Sequence, residues 1–143
     1  MTQIFNTPFE ISMRALIIVS PSKGLTLDRI NAYDFLATYG KRYGISDFDL
    51  NGDCDASQMQ IDIRRQLMKD SLKELVLKRY ICVEKSENGF IYKVTALGTA
   101  VVSQMESDYS KEFIRNVTTI NKRFSSLKES ELIRLITKPN GGK

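Results

Sequence analysis

The sequence predicts a mostly helical α+β fold, and three observations support that class. Apolar residues recur at spacings of three and four in several segments, which is typical of helices with one buried face. The pair Asn88-Gly89 lies between two short runs rich in β-branched and aromatic residues and is typical of a hairpin turn. The 143 residues are 42% hydrophobic and 27% charged, a composition that fits one globular domain with its own core.

The first two helices are marked by their end residues. Thr7-Pro8-Phe9-Glu10 combines an N-cap threonine, a proline at the first helical position and the glutamate of a capping box. Ser20-Pro21 ends this helix. A second helix is predicted from Thr26 to the helix breaker Gly40. The expected buried face of the first helix consists of Phe9, Met13, Leu16 and Ile17.

A third helix and a hairpin follow a polar loop over residues 40–58. The helix is predicted over residues 59–79, with no glycine to close it. The strands are predicted over residues 80–86 and 90–94. A two-residue Asn88-Gly89 loop then sets Val83 opposite Val94 and Glu84 opposite Lys93. This register pairs apolar side chains with each other and opposite charges with each other.

The C-terminal region is predicted to be helical. Thr95 would cap a helix that extends without a break over residues 96–124. The alternative is a bend that folds the second half back onto the domain, marked by Ser103, Ser107 or Ser110. A last short helix is predicted over residues 128–137.

This order of elements, three helices, a hairpin and a further helix, is that of a winged helix-turn-helix. We therefore predict a winged-helix domain over residues 1–95, in which the hairpin is a two-stranded wing. Residues 96–138 would form a helical C-terminal extension, and residues 139–143 a disordered tail.

The composition excludes several classes of active site and metal site. Because the chain has no histidine, the usual zinc sites and the Ser-His-Asp or Cys-His arrangements cannot be assembled. Cys54 and Cys82 form no CxxC pattern, and Cys82 is interpreted as a small apolar filler. Asp34, between two aromatic residues, is interpreted as a helix acid with a partner rather than a catalytic group. We expect a cytoplasmic protein with no catalytic residues, no cofactor and no membrane span.

The third helix carries the main candidate site. Its outward half mixes three lysines, three acids and three large aliphatic residues when a helical wheel is centred on Met68. A surface that faces DNA should be strongly basic and should offer side chains to base edges, and only Gln66 has the second property here. The mixture therefore favours a protein partner. The candidate contacts are three aliphatic residues and two arginines that brace the fold or reach a partner, namely Ile63, Leu67, Leu77, Arg64 and Arg65.

DNA binding is the rival hypothesis. Residues 1–60 hold 5 Lys and Arg against 7 Asp and Glu, whereas residues 61–143 hold 16 against 10, so the positive charge lies in the second part of the chain. A DNA-binding transcription regulator of this kind would dimerise through its C-terminal helix and bind a palindromic site. The candidate nucleic-acid contacts are Lys69, Lys73, Lys122 and Arg123.

The polar loop contains part of a calcium-binding pattern. Oxygen-bearing side chains occupy alternate positions of the run 47–55, and Gly52 occupies the position of the sharp turn. The last ligand position holds Gln58 instead of a glutamate, and Gly40 and Gly44 break any helix that would lead into the loop. Short runs of Asp, Asn and Gly are common in turns. The run is therefore interpreted as an ordinary loop.

Several segments resemble one bacterial protein family. The most distinctive are Phe5-Asn6-Thr7-Pro8-Phe9-Glu10-Ile11-Ser12 and Thr38-Tyr39-Gly40. The others are Leu27-Asp28-Arg29-Ile30, Asp34-Phe35, Leu50-Asn51-Gly52-Asp53, Arg64-Arg65 and Lys73-Glu74-Leu75-Val76-Leu77. Spread over most of residues 4–137, they resemble the middle component of the ABC three-component defence systems of bacteria, which include the Lamassu type. Arg79 departs from the pattern, because a glycine is expected after the third helix.

The resemblance implies a small non-catalytic winged-helix subunit that acts in immunity against phages. Such a subunit would link an SMC/Rad50-like ABC ATPase to an effector, often a nuclease, and contact with DNA would come through the assembled complex. The family has no motif of catalytic residues, so none is assigned. The implied role agrees with the mixed outward face of the third helix.

Overall fold

The computed structural model of the chain describes residues 7–50, 58–87 and 89–137. Within these ranges the protein has six helices and one two-stranded antiparallel sheet. The predicted mostly helical α+β class is therefore confirmed. The helices are α1 (Pro8–Val19), α2 (Leu27–Thr38), α3 (Gln58–Leu77), α4 (Ala96–Ser103), α5 (Asp108–Phe124) and α6 (Glu129–Thr137), and the strands are β1 (Ile81–Ser86) and β2 (Gly89–Val94).

One hydrophobic core joins the N-terminal and C-terminal helices. Leu16 and Ile18 of α1 are fully buried in the same cluster as Phe113 and Ile120 of α5 and Leu132 of α6. The core therefore contains residues from both predicted units, the winged-helix domain over 1–95 and the extension over 96–138. The division between these two units stays a prediction. The predicted tail over residues 139–143 lies outside the described residues.

The local signals at helix starts are confirmed. The Thr7 hydroxyl accepts a hydrogen bond from the Glu10 backbone N–H at 3.2 Å, and the Glu10 carboxylate accepts one from the Thr7 N–H at 3.2 Å. Thr26 and Thr95 cap α2 and α4 by accepting from the backbone three residues ahead. Each cap satisfies an N–H group that the helix itself leaves without a partner.

The buried face of α1 agrees with the predicted one at Leu16 and Ile17 but not at Phe9. Phe9 is 70% exposed, whereas Ile11, Ala15 and Ile18 are buried. These three residues follow one another at spacings of four and three, so they lie on one side of the helix. Phe9 lies outside that stripe, in the first turn of α1. The prediction that Phe9 belongs to the core was therefore wrong.

The end of α3 explains the departure at Arg79. Arg79 has a φ of 68°, which is the left-handed conformation that glycine usually adopts after a helix. Its N–H donates to the Val76 carbonyl, and the Tyr80 N–H donates to the Leu75 carbonyl, both at 3.0 Å. These two bonds form a Schellman motif, so the chain turns into β1 through a strained arginine instead of a glycine.

The hairpin forms, but with a register different from the predicted one. Ser86 pairs with Gly89, and Val83 pairs with Tyr92 instead of Val94. The two residues between the strands are therefore 87 and 88, and Asn88 itself lies outside the described residues. The ladder is two residues out of the predicted register, which keeps each side chain on its predicted face.

Contacts at the base of the hairpin account for this register. Ile81 is 1% exposed and lies opposite Val94, next to the core. On the other edge of β2, Leu25 exchanges two backbone hydrogen bonds with Tyr92, at 3.0 and 2.8 Å. Cys82 points away from the core and is exposed, so its interpretation as an apolar filler was wrong.

The C-terminal region does not form one unbroken helix over residues 96–124. It bends back onto the domain, which was the alternative considered from the sequence. α4 ends at Ser103, and α5 begins after Ser107, whose hydroxyl accepts from the Ser110 N–H at 3.0 Å. Ser107 therefore marks the bend. The bend allows α5 to pack against α1 and α2, where Asn116 donates to the Ala37 carbonyl at 3.0 Å.

Candidate interaction surface on the third helix

A buried charge cluster fixes α3 against the first two helices. Asp34 is 1% exposed and lies 2.6 Å from Arg14 Nε and 2.6 Å from Arg64 Nη2. Arg64 Nη2 also donates to the Thr38 hydroxyl at 3.1 Å. Because these residues come from α1, α2 and α3, the buried cluster (Arg14, Asp34 and Arg64) joins the three helices by hydrogen-bonded charges.

The surroundings keep this cluster charged. Burial raises the pKa of the Asp34 carboxyl, but Arg14 and Arg64 lower it more strongly, so its pKa lies below the ordinary value. Burial lowers the pKa of Arg14, and the adjacent Asp34 carboxylate more than offsets this. Burial also raises the pKa of Tyr109, which is close to Arg14, to about 12. At neutral pH the cluster is therefore one carboxylate held between two guanidinium groups.

The position of the cluster favours one of the two roles considered for Arg64. Arg64 is 7% exposed and ion-paired, which favours bracing of the fold over contact with a partner. Asp34 has the partners expected of a helix acid, so that part of its interpretation is confirmed. Arg65 is 45% exposed, and its Nε lies 2.5 Å from Asp28 of α2, so it lies at the edge of the outward face.

The outward face of α3 exposes large apolar side chains. Ile63 is 59% exposed and Leu77 is 72% exposed, and Leu67 between them is half-buried. Charged side chains surround them, and Gln66 donates its amide to Asp70 at 3.1 Å. Exposed aliphatic groups of this size on the same side of one helix are the candidate interaction surface that the sequence predicted.

A groove runs between this face and α1. It has a volume of about 350 Å³, and its apolar lining includes Ile11, Leu67 and Leu77. Charged residues of α3 form the rim, among them Lys73 and Glu74. An apolar floor with a polar rim is the usual composition of a protein interface. The sequence identified the α3 side of this α1–α3 groove and missed the α1 side.

The four candidate nucleic-acid contacts divide between different parts of the protein. Lys69 and Lys73 are exposed on α3, and Lys73 lines the α1–α3 groove. Lys122 lines a separate cleft against the α1–α2 loop. The Arg123 guanidinium donates to the Gly44 carbonyl at 2.8 Å, which ties α5 to the loop after α2. These residues therefore do not line one common cleft.

The calcium pattern falls largely outside the described residues, because 51–57 are not among them. Within the described part of the loop, the Asp49 carboxylate accepts a hydrogen bond from the Lys41 N–H at 3.0 Å. The described residues contain no group of three or more Cys, Asp or Glu side chains that could hold a metal ion.

None of the helices in the described ranges combines the length and apolar character needed to cross a bilayer. The fold and the surface together define a small, mostly helical α+β protein that carries an apolar groove with a charged rim.

Residues 4–141 match the family model described as ABC-three component (ABC-3C) system Middle Component 2, and the chain belongs to this family. The chain is thus one subunit of a system with several components, and the resemblance noted in its sequence is confirmed at the level of the family. No curated protein and no solved structure matches it.

Proposed function

We propose that the protein is a non-catalytic scaffold of a cytoplasmic anti-phage defence complex, in which it links an SMC-like ABC ATPase to an effector nuclease. Membership of a middle-component family supports a role among other subunits. The observation that carries the proposal is the α1–α3 groove, where Leu67 and Leu77 offer apolar surface between charged residues. In this proposal the chain binds no cofactor.

We further propose that the fold is a winged helix-turn-helix. Three helices, a hairpin and a further helix follow in the order of that fold. The backbone pairing of Leu25 with Tyr92 adds an edge to the hairpin, which supports its role as the wing. α3 would then be the helix that enters the major groove in DNA-binding relatives of this architecture.

The outward face of α3 suits a protein partner better than a DNA duplex. Affinity for DNA comes mainly from cations that neutralise phosphates, whereas acids lie next to the lysines on this face. The Gln66 amide, which could read a base edge, is already used by Asp70. Ile63 and Leu77 would remain in water beside a phosphate backbone, but they would be buried by an apolar partner surface.

The test is co-expression with the ATPase and the effector, followed by size-exclusion chromatography of wild type, Ile63→Asp and Leu77→Asp. A residue that acts as a hot spot of an interface contributes about 2 kcal/mol or more, and we expect a loss of this size, about 30-fold in affinity, for each variant. Phe90→Asp and Phe9→Asp are matched controls, because these residues are 60% and 70% exposed at other places on the protein. The controls should co-elute with the partners as the wild type does.

Two results would reject the proposal. Separate elution of the wild-type chain at micromolar concentration would contradict a scaffold role. Co-elution of Ile63→Asp and Leu77→Asp at wild-type affinity would contradict the assignment of the interface to α3.

A DNA-binding transcription regulator is the second candidate, supported by the exposed Lys69 and Lys73 on α3. It predicts that Lys69→Glu with Lys73→Glu abolishes binding to a palindromic duplex. Wild-type binding by that double variant would reject this candidate.

A further inference from the structure

A second cleft, on α2 and α5, is lined by positive charge. It has a volume of about 600 Å³ and lies between the α1–α2 loop, the start of α2 and one face of α5. Lys23, Arg29 and Lys122 line it, one from each of these three segments. No carboxylate is among its described lining residues. We call this cavity, with its three cations Lys23, Arg29 and Lys122, the basic cleft.

Arg29 is held in place without a carboxylate partner. Its Nη2 donates to the Leu127 carbonyl, and its guanidinium lies 5.7 Å from the centroid of the Tyr33 ring. Within the described residues it forms no ion pair. The guanidinium is therefore fixed in the cleft, so an anion that binds here would lose little affinity to side-chain ordering.

The remaining polar groups of the cleft suit a phosphodiester backbone. Thr118, Asn121 and Lys122 lie on one face of α5 at helical spacing, and Ser125 follows as its C-cap; the Thr118 hydroxyl donates to the Ile114 carbonyl at 2.9 Å. Hydroxyl, amide and cationic side chains of this kind make most protein contacts to phosphate and sugar.

The lining argues against an acidic protein as the ligand. None of the large, strongly exposed apolar side chains of the described residues lines the basic cleft. A protein interface normally has aromatic or aliphatic anchors at its centre, as the α1–α3 groove has.

A second depression shares Arg29 with the basic cleft. This adjoining depression of about 510 Å³ contains Lys128 and one acid, Glu129. That carboxylate accepts a hydrogen bond from the Thr26 hydroxyl at 2.5 Å, which fixes its position but leaves its negative charge, so this depression adds no net positive charge to the basic cleft.

From these observations we infer that the basic cleft binds the phosphodiester backbone of nucleic acid without reading base sequence. The site is separate from the outward face of α3, so the inference goes beyond the scaffold role. It would give the protein a direct contact with nucleic acid while α3 stays available to a protein partner.

The experiment measures fluorescence anisotropy of a fluorescein-labelled, random-sequence 20-base-pair duplex with the full chain. Three phosphate contacts predict an association constant that falls about 40-fold between 50 and 200 mM salt. In the Lys23→Ala and Lys122→Ala double variant one contact remains, so the fall should be about 3- to 4-fold. The matched control is the double variant Lys69→Ala with Lys73→Ala, which removes the same number of positive charges but from α3. Its association constant should depend on salt as that of the wild type does. Circular dichroism checks that each variant is folded.

A second arm distinguishes nucleic acid from an acidic protein. Unlabelled duplexes of different sequence should displace the labelled one equally well, and polyglutamate at equal charge concentration should displace it poorly. The inference is overturned if the wild type does not bind the duplex, if polyglutamate competes as well as DNA, or if the Lys23 and Lys122 variant keeps the wild-type salt dependence.

Discussion

Asp34→Asn is the substitution that should most strongly destabilise the fold. The asparagine keeps the shape of the side chain but removes the only negative charge of the buried cluster. Arg14 and Arg64, which are 2% and 7% exposed, would then be two buried cations that have lost the carboxylate they share. The amide would also place an N–H group against a guanidinium donor that now lies 2.6 Å from a carboxylate oxygen.

The expected cost follows from the burial of the pair. Removal of one partner of a buried ion pair costs about 3–5 kcal/mol, because a desolvated charge is left behind. A domain of this size loses about 3 °C in Tm for each kcal/mol, so Asp34→Asn should lower Tm by about 10 °C or more. Thermal unfolding followed by circular dichroism measures this shift, and urea unfolding gives the change in free energy.

Asp28→Asn is the matched control, because it makes the same chemical change in an exposed ion pair. Asp28 and Arg65 are 35% and 45% exposed, and such pairs contribute less than about 1 kcal/mol. Equal losses of stability in the two variants would refute the argument that the buried cluster holds α1, α2 and α3 together.

Three further predictions concern pH and the backbone. Because the pKa of Asp34 is lowered in the folded state, its contribution to stability is nearly complete above the pKa of an unfolded aspartate, about 4, and is lost as the pH falls through the lowered pKa; urea unfolding should therefore show the difference between wild type and Asp34→Asn unchanged above about pH 4 and shrinking as the pH falls below it. Gly98→Ala should cost about 1–3 kcal/mol, since the added Cβ would lie 2.2 Å from the Tyr80 carbonyl oxygen, whereas Thr99→Ala on the exposed side of α4 should stay within about 0.5 kcal/mol; equal Tm values for the two would contradict this. Arg79→Gly should raise stability by about 1 kcal/mol, because glycine adopts a φ of 68° without strain, and an unchanged or lower urea midpoint would oppose that explanation.

Features set by a few neighbouring residues could be predicted from the sequence. The caps at Thr7, Thr26 and Thr95 need only the residues of one helical turn, so their patterns were sufficient. The break between α4 and α5 was one of two alternatives, because the choice depends on whether α5 has a surface to pack against.

Features set by distant contacts could not be predicted. The hairpin register depends on the burial of Ile81 and on the pairing of Leu25 with Tyr92, and a turn motif contains neither. The exposure of Phe9 depends on which side of α1 the other helices cover, which helical spacing does not give.

The α1–α3 groove and the basic cleft could also be predicted only where a single segment of the chain carries their residues. Ile63, Leu67 and Leu77 could be found on a helical wheel, since one helix carries them, but the α1 side of the groove could not. The buried cluster joins residues 20 and 30 positions apart, and its only sequence signal was an acid between aromatic residues. Lys122 of the basic cleft was a candidate from the basic second part of the chain, but Lys23 and Arg29 lie in the part with a negative balance of charge, so a charge count did not indicate them.

The central claim, that α3 binds a protein partner, can be tested by photo-crosslinking within the assembled complex. The chain would be made with the photoreactive residue p-benzoylphenylalanine in place of Leu77, and in parallel in place of Phe90, which is exposed on the hairpin. We predict that position 77 gives a crosslink to the ATPase or the effector and that position 90 does not. A crosslink from position 90 alone, with none from position 77, would contradict the account.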